Sequence, residues 1–296
     1  MAAEAPERPA RRRGLWRLPD QKRKPHFHRI GGMTQGEKRT REGEAVSASG
    51  KIQLRCLGFC GADDSVEPSL LAAISAQYPW VEWGVLFRPD KAGMPRYASR
   101  AWLDRLASAN AKRTMLLAGH LCSTRVDEVL SGDTNFVAWL HEAIGFRRVQ
   151  INATKANGSN VDAFGTDAGA DACAAALRNA CAALPQVEFI VQRNSETRPL
   201  WERLLENMPE NMSVLFDDSM GLGVSTTSWP APPPMASPIK FGYAGGLSPT
   251  NLKQQLGLIE TTAPVRDEPP PACACTCTCF VNMPWHPPLH APPFSI

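Results

Sequence analysis

Several residues able to move protons or hold charged groups stand at the ends of short apolar runs. They are Cys60 after the first run, Arg96 in the loop after the second, and His120 with Cys122 after the third. Asn152 follows the fourth, Arg193 with Asn194 the fifth, and Asp217 with Asp218 the sixth. The segment Gly242 to Asn251, GYAGGLSPTN, closes the series with adjacent glycines and a Ser-Pro pair. Gly245 and Gly246 leave backbone amides bare beside an expected helix start at Ser248, a suitable cradle for a phosphate. If the runs are strands of one parallel sheet, an acid, a base, a cation and a phosphate cradle converge on the rim at their C-terminal ends.

Each of these residues also has a plainer reading. Cys60 can be a small buried core residue, since free cysteine is commonly interior. Arg96 can be a solvated loop charge. His120 reads either as a hydrogen-bonded core histidine or as a catalytic one. Asp217 and Asp218 point to opposite faces if the strand continues through them, so one of the two faces the interior. Lys240 could form a Schiff base, but it begins its strand and so lies at the wrong end. His120-x-Cys122 lacks further ligands at metal spacing, and Cys273, Cys275, Cys277 and Cys279 form a single short cluster without the paired spacing of a zinc site; no metal is expected.

The elements that must position these groups follow from alternating short apolar and longer amphipathic segments, the pattern of repeated βα units. Strands are expected at Ile52–Phe59, Val81–Phe87, Arg113–His120, Arg147–Asn152, Val187–Gln192, Ser213–Asp217 and Ile239–Tyr243. Helices are expected at Glu67–Gln77, Ser99–Ala109, Arg125–Ala143 with a break near Gly132, Gly169–Leu184, Thr197–Glu206 and Ser248–Ile259. Ser99 supplies an N-cap, and Pro249 suits a first helical position. Met220–Pro238, rich in Gly, Pro, Ser and Thr, reads as a long active-site loop. Seven such units in about 210 residues point to an α/β fold of the TIM (β/α)8 type. The eighth strand is expected to be absent or replaced, with Cys279–Met283 a weak candidate for it. Residues 1–50 read as a basic, disordered arm, 51–262 as the barrel domain, and 263–296 as a Pro/Cys-rich low-complexity tail.

The order of the rim groups resembles phosphoribosylanthranilate isomerase, a (β/α)8 enzyme of tryptophan biosynthesis. That family's first strand ends in a Cys-Gly pair, matched by Cys60-Gly61, with Gly58-Phe59 where the family has Lys-Ile. A Pro-Arg-Tyr run follows its second strand, matched by Pro95-Arg96-Tyr97. Its sixth ends in a Leu-Leu-Asp-like run, resembled by Leu215-Phe216-Asp217, and leads to a loop with an aromatic near its end, here Trp229. Ala-Gly-Gly-Leu-x-Pro-x-Asn, the most specific motif, is met at every defined position by Ala244 to Asn251. The resemblance, over residues 52 to 259, implies an Amadori rearrangement of an aminoaldose phosphate to an aminoketose phosphate without a cofactor. It implies Asp217 as general acid, Cys60 as general base and Arg96 on the anthranilate carboxylate. Gly245, Gly246 and the amides from Ser248 onward would hold the phosphate.

Composition bounds the remaining classes. Residues 1–50 carry 12 Lys/Arg against 6 Asp/Glu, whereas 51–262 carry 19 against 21. The folded part is thus nearly neutral and lacks the basic face of a nucleic-acid-binding domain. Arg11-Arg12-Arg13 and Lys22-Arg23-Lys24 in the arm suit an organellar or nuclear address on an otherwise cytoplasmic protein. Cys56, Cys60, Cys122, Cys173 and Cys181 are scattered as in a reduced compartment. No apolar run is long enough to span a membrane, so no membrane partner is expected. The expected ligand is a phosphorylated small molecule; oligomeric state is not legible. Two alternatives stay open: a sugar-phosphate enzyme of other chemistry using His120, Asn152, Asn194 and Asp217, and a non-catalytic barrel whose basic arm binds a partner.

Overall fold

The computed structural model describes residues 53–231 and 239–262, together with the backbone of 276–282. The basic arm and most of the Pro/Cys-rich tail lie outside the described residues.

Seven strands, each parallel to the next, form a curled sheet in chain order: β1 (Gln53–Cys60), β2 (Val81–Phe87), β3 (Leu116–Leu121), β4 (Arg148–Ile151), β5 (Glu188–Arg193), β6 (Met212–Phe216) and β7 (Lys240–Tyr243). The expected strands are all found, with ends displaced by up to three residues. The backbone of Thr276–Asn282 (β8) pairs in parallel with β7 and with β1, returning the strand order to its start. The eighth place, expected to be empty or replaced, takes backbone from the cysteine-rich tail that overlaps the weak candidate Cys279–Met283. That tail reads as low complexity because Cys-Thr alternation offers no apolar run, although threonine favours the extended backbone.

Helices α1 (Pro68–Gln77), α2 (Arg100–Ala109), α3 (Thr124–Leu130), α4 (Asn135–Trp139), α5 (Asp167–Ala183), α6 (Arg198–Glu206) and α7 (Leu252–Thr262) connect the strands. Ser99 caps α2 as expected, its hydroxyl accepting from Trp102 N–H. The expected break near Gly132 is real: α3 stops at Leu130, and Gly132 adopts φ +97° before α4 begins.

Two faces of the sheet explain the strand sequences. Outward residues such as Trp83, Val85, Leu117, Val149, Phe189 and Val191 share one core with Leu71, Trp102, Leu177 and Leu200 of the helices. The alternate positions carry most of the polar strand residues, Cys56, Cys60, Glu82, His120, Arg148, Gln150, Glu188, Gln192, Ser213 and Asp217, and among them Ala118, Ile190 and Leu215 form a small apolar cluster with Ala244. Several of these side chains meet although their strands are not neighbours. Arg148 on β4 reaches Glu82 on β2 at 2.9 Å and Cys56 on β1 at 3.4 Å, and Cys60 on β1 reaches His120 on β3. Such contacts are made across the inside of the curl. The strands are buried on both sides as expected, but the inner side mixes buried polar and charged groups with the apolar cluster of Ala118, Ile190, Leu215 and Ala244.

Deepest toward the N-terminal ends, Arg148 bridges Glu82 and Glu188, at 2.9 and 3.0 Å. The two carboxyls shift in opposite directions. Burial raises Glu82, and the guanidinium only partly offsets it. Burial also acts on Glu188, but the charges of Arg148 and Lys240 outweigh it and lower that carboxyl. The difference follows solvent access: the Glu82 side chain is 2% exposed and that of Glu188 14%.

Candidate active site at the C-terminal rim

Cys60 ends β1, and its Sγ lies 3.2 Å from Nδ1 of His120 on β3. Strand β2 runs between them, and Gly84 is what lets them meet. A Cβ at Gly84 would stand 2.8 Å from Cε1 and Nε2 of His120 and 3.2 Å from Cα of Cys60. Glycine inside a strand weakens it and marks a close approach; here it opens a notch for the imidazole. Burial drives the Cys60 thiol up to about 12, with Arg96 pulling it back and Cys122 and Asp217 adding to the rise. Burial drives His120 down to about 3, reinforced by the Arg148 and Arg96 charges. Both groups are neutral at pH 7, so at rest the pair is a thiol and an imidazole, not an ion pair.

Asp217 follows β6 and is buried, while Asp218 is exposed. Its Oδ2 accepts from Gln192 Nε2 at 2.8 Å, and its Oδ1 accepts from the Ser219 hydroxyl at 2.5 Å. Burial raises its pKa against the pull of these bonds and of the Gly221 and Ser219 amides. A carboxyl displaced toward neutrality is a better proton donor near pH 7.

Arg96 is held over the same rim by the preceding loops. Its backbone takes φ +73°, a region costly for a non-glycine residue, while its N–H donates to Asp63 Oδ2. Asp64 accepts from both the amide and hydroxyl of Ser99, strapping the loop after β2 to the loop after β1. A Cβ at Gly61, itself at φ +96°, would lie 3.3 Å from Arg96 Nε. The exposed Arg96 side chain thus crosses Gly61, and its charge favours the ionised form of the Cys60 thiol.

The GGLSPTN segment differs from the expected helix start. Ser248 N–H donates to Asn251 Oδ1, and Asn251 Nδ2 donates to Gly246 O, so the side chain folds the segment into a turn and α7 begins only at Leu252. This corrects the expected helix from Ser248; Asn251 competes with the helix for local backbone groups. The Ser248 amide is consequently occupied. The Gly245, Gly246 and Leu247 amides have no acceptor among the described residues. Gly245 and Gly246 both have positive φ, 109° and 65°, and such consecutive amides make an anion-binding concavity. The loop after β6 packs on them: a Cβ at Gly246 would meet the Ser225 backbone. Farther along that loop, Trp229 Nε1 donates to Gln255 on α7, and the Trp229 ring meets Tyr243 edge-on.

Other expected rim groups divide. Asn152 belongs to the interior layer, its Nδ2 donating to Cys122 Sγ at 3.4 Å while Gln150 Nε2 donates to its Oδ1. Asn194 Oδ1 is taken up by its own turn, accepting from the Glu196 and Thr197 amides, while its Nδ2 is buried without a partner among the described residues. Arg193 turns to the outer face, stacked over Trp201 and Phe216 at 4.6 and 5.1 Å. Lys240 donates to Glu210 O at the opposite end of the sheet. Among the described residues no group of three His, Cys, Asp or Glu is arranged to hold a metal.

Gly84, Asp63, Gln192 and Ser219 contact or make room for the candidate groups and were not singled out from the sequence. A glycine within an apolar strand was the available signal for Gly84; the other three look like ordinary loop or strand polar residues. Gln150 Oε1, Gln192 Oε1 and Asn194 Nδ2 are buried and have no partner among the described residues. Buried polar atoms of this kind are ordinarily satisfied by water or by a ligand with hydroxyl groups.

No protein-family model matches the chain, and no curated protein matches it significantly. Among solved structures it is similar to phospho-2-dehydro-3-deoxyheptonate aldolase from Thermotoga maritima, with 10% identity and a TM-score of 0.42 over 78% of this chain and 60% of that one. The chain thus spans about three fifths of that enzyme. A truncated 3-deoxy-D-arabino-heptulosonate 7-phosphate synthase from the same organism gives 10% identity and a TM-score of 0.42, over 79% of this chain and 76% of that one. Among the described residues no helix is long and apolar enough to cross a membrane.

Proposed function

We propose that the chain is a phosphoribosylanthranilate isomerase-like enzyme on a closed (β/α)8 barrel, converting an aminoaldose phosphate to an aminoketose phosphate. The observation that carries this reading is the placement of two buried proton-transfer groups with opposite tasks at the C-terminal strand ends of one sheet. Cys60 ends β1 and Asp217 directly follows β6, and both are buried. Asp217, raised toward neutrality, gives its proton to the ring oxygen as the C1–O bond breaks, leaving an iminium at C1. Cys60, as thiolate, takes the C2 proton; the C2–H electron pair forms C1=C2 and neutralises the nitrogen. The resulting enol tautomerises to the ketose. Arg96 offers a planar fork to the anthranilate carboxylate, and the Gly245 to Leu247 amides receive the phosphate. No cofactor takes part in these steps.

The test is rescue of a tryptophan auxotroph lacking the isomerase, paired with conversion of the purified substrate. A folded full-length chain that neither rescues nor converts overturns the reading. A second reading, a sugar-phosphate enzyme of other chemistry, is favoured by the partnerless amide atoms of Gln150, Gln192 and Asn194, which suit a polyhydroxyl ligand. Sugar-phosphate binding without isomerisation would select it.

A further inference from the structure

The Cys60–His120 contact has no counterpart in the roles assigned above, and it joins two strands through a notch that exists only because β2 carries glycine at position 84. We propose that His120 is a positioning residue that stays neutral and donates its Nδ1–H to the Cys60 sulfur, stabilising the thiolate without forming an ion pair. The inference deepens the isomerase reading, in which Cys60 is the base, but its central claim concerns the thiol alone.

The geometry sets the pair. Sγ and Nδ1 are 3.2 Å apart in a buried contact, and Gly84 leaves the ring no Cβ to displace it. A thiol can donate to an unprotonated Nδ1, or Nδ1–H can donate to sulfur; once sulfur is ionised only the second arrangement survives. The charged groups around the pair decide between a proton acceptor and a donor. His120 feels Arg148 from β4 and Arg96 from the loop after β2, both cations, and its burial admits little water. An imidazolium there would lose its hydration and face Arg96 and also Arg148, whose charge Glu82 and Glu188 partly offset, whereas a neutral ring keeps its donor at no charge cost. Cys60 feels Arg96 as attraction and Cys122 and Asp217 as repulsion. A neutral donor on the β3 side therefore complements Arg96, and protonation of Asp217, required of the acid, removes part of the repulsion.

Alkylation of the full-length protein by iodoacetamide, with the Cys60 peptide followed by mass spectrometry across pH 6 to 9.5, tests this without substrate. His120→Asn keeps an N–H donor near the Nδ1 position but cannot become a cation; His120→Leu removes the donor. The expected result is a Cys60 rate in His120→Asn within about threefold of wild type and a rate in His120→Leu at least about tenfold slower, the scale of a hydrogen bond to a charged group. Wild type should show a rate rising steadily with pH. A reactive plateau below pH 7 in wild type, lost in His120→Asn, would show an ion pair and overturn the proposal. Equal loss in both variants, or no loss in His120→Leu, would also overturn it. Thermal melting controls for folding; should His120→Leu not fold, Gly84→Ala, which displaces the ring, must slow alkylation in its place. Failure of substrate conversion with this alkylation pattern intact would sink the isomerase reading and leave the role of His120 standing.

Discussion

Replacing Arg148 with methionine removes the cation that holds Glu82 and Glu188 inside the sheet. The three side chains are 15%, 2% and 14% exposed, so the carboxylates lose their partner where little water can replace it. Breaking a buried pair by deleting one member costs about 3–5 kcal/mol. At about 2–4 °C per kcal/mol for a domain of this size, the melting temperature should fall by about 6–20 °C. The pH dependence gives a sharper check. In the variant the Glu82 carboxyl, already raised by burial in the parent, loses its opposing cation and rises further above its unfolded value. The folded state then binds more protons than the unfolded state, so stability increases as pH falls through that interval. One proton contributes at most about 1.4 kcal/mol per pH unit, so going from pH 7 to pH 5 should narrow the gap to the parent by up to about 2–3 kcal/mol, less what the parent's own raised Glu82 gains over the same interval. Urea unfolding of both proteins at the two pH values measures this. A deficit under about 1 kcal/mol at pH 7, or one that does not narrow at pH 5, would refute the reasoning.

The other expected outcomes concern the rim. Cys60→Ser and Asp217→Asn should each lower turnover by about 10²-fold, and unchanged turnover in both would place the chemistry elsewhere. Gly84→Ala should cost about 1–3 kcal/mol in urea unfolding, because its methyl must push the His120 ring from 2.8 Å; a neutral result would mean the notch is not tight. Gly246→Ala, forced against Ser225 at φ +65°, should raise KM for a phosphorylated substrate far more than it lowers kcat. Equal KM would remove the phosphate from that loop. The order of the two pKa values predicts an unusual pH profile: protonated Asp217 falls as thiolate Cys60 rises, so their product stays level between them. kcat/KM should be flat through neutrality, declining only below the Asp217 pKa and toward about 12, and a narrow optimum near pH 7 would contradict the assignment.

Much of the frame was legible because its outer face is apolar. Val81–Phe87 is found as expected, and the cap at Ser99 and the break near Gly132 rest on local chemistry that sequence displays. The interior was not legible, since Glu82, Arg148 and Glu188 look like solvated charges until strands 66 and 40 residues apart bring them together. Asn251 misled in the opposite direction: a residue inside an expected helix instead used its side chain to hold Ser248 and Gly246 in a turn. At the site, Cys60, Asp217 and the glycine pair could be picked out by residue type and position. Gly84 offered only the signal of a glycine within an apolar strand, because what matters there is the absence of a side chain beside the ring of His120, two positions along the next strand from its register partner Ala118.

The polar interior also ties stability to chemistry through one residue. Arg148 lies one inward step below Gln150, which is paired in register with His120. Its charge is needed to keep two carboxylates folded, and the same charge opposes protonation of the His120 ring. A purely apolar interior would hold the strands as well, since buried ion pairs seldom outdo packed hydrophobic residues. It would not hold a histidine neutral beside a thiol by electrostatic force as well as by burial. Arg148 thus joins the two ends of the interior: it pairs with Glu82 and Glu188 below and adds to the burial that keeps His120 neutral above.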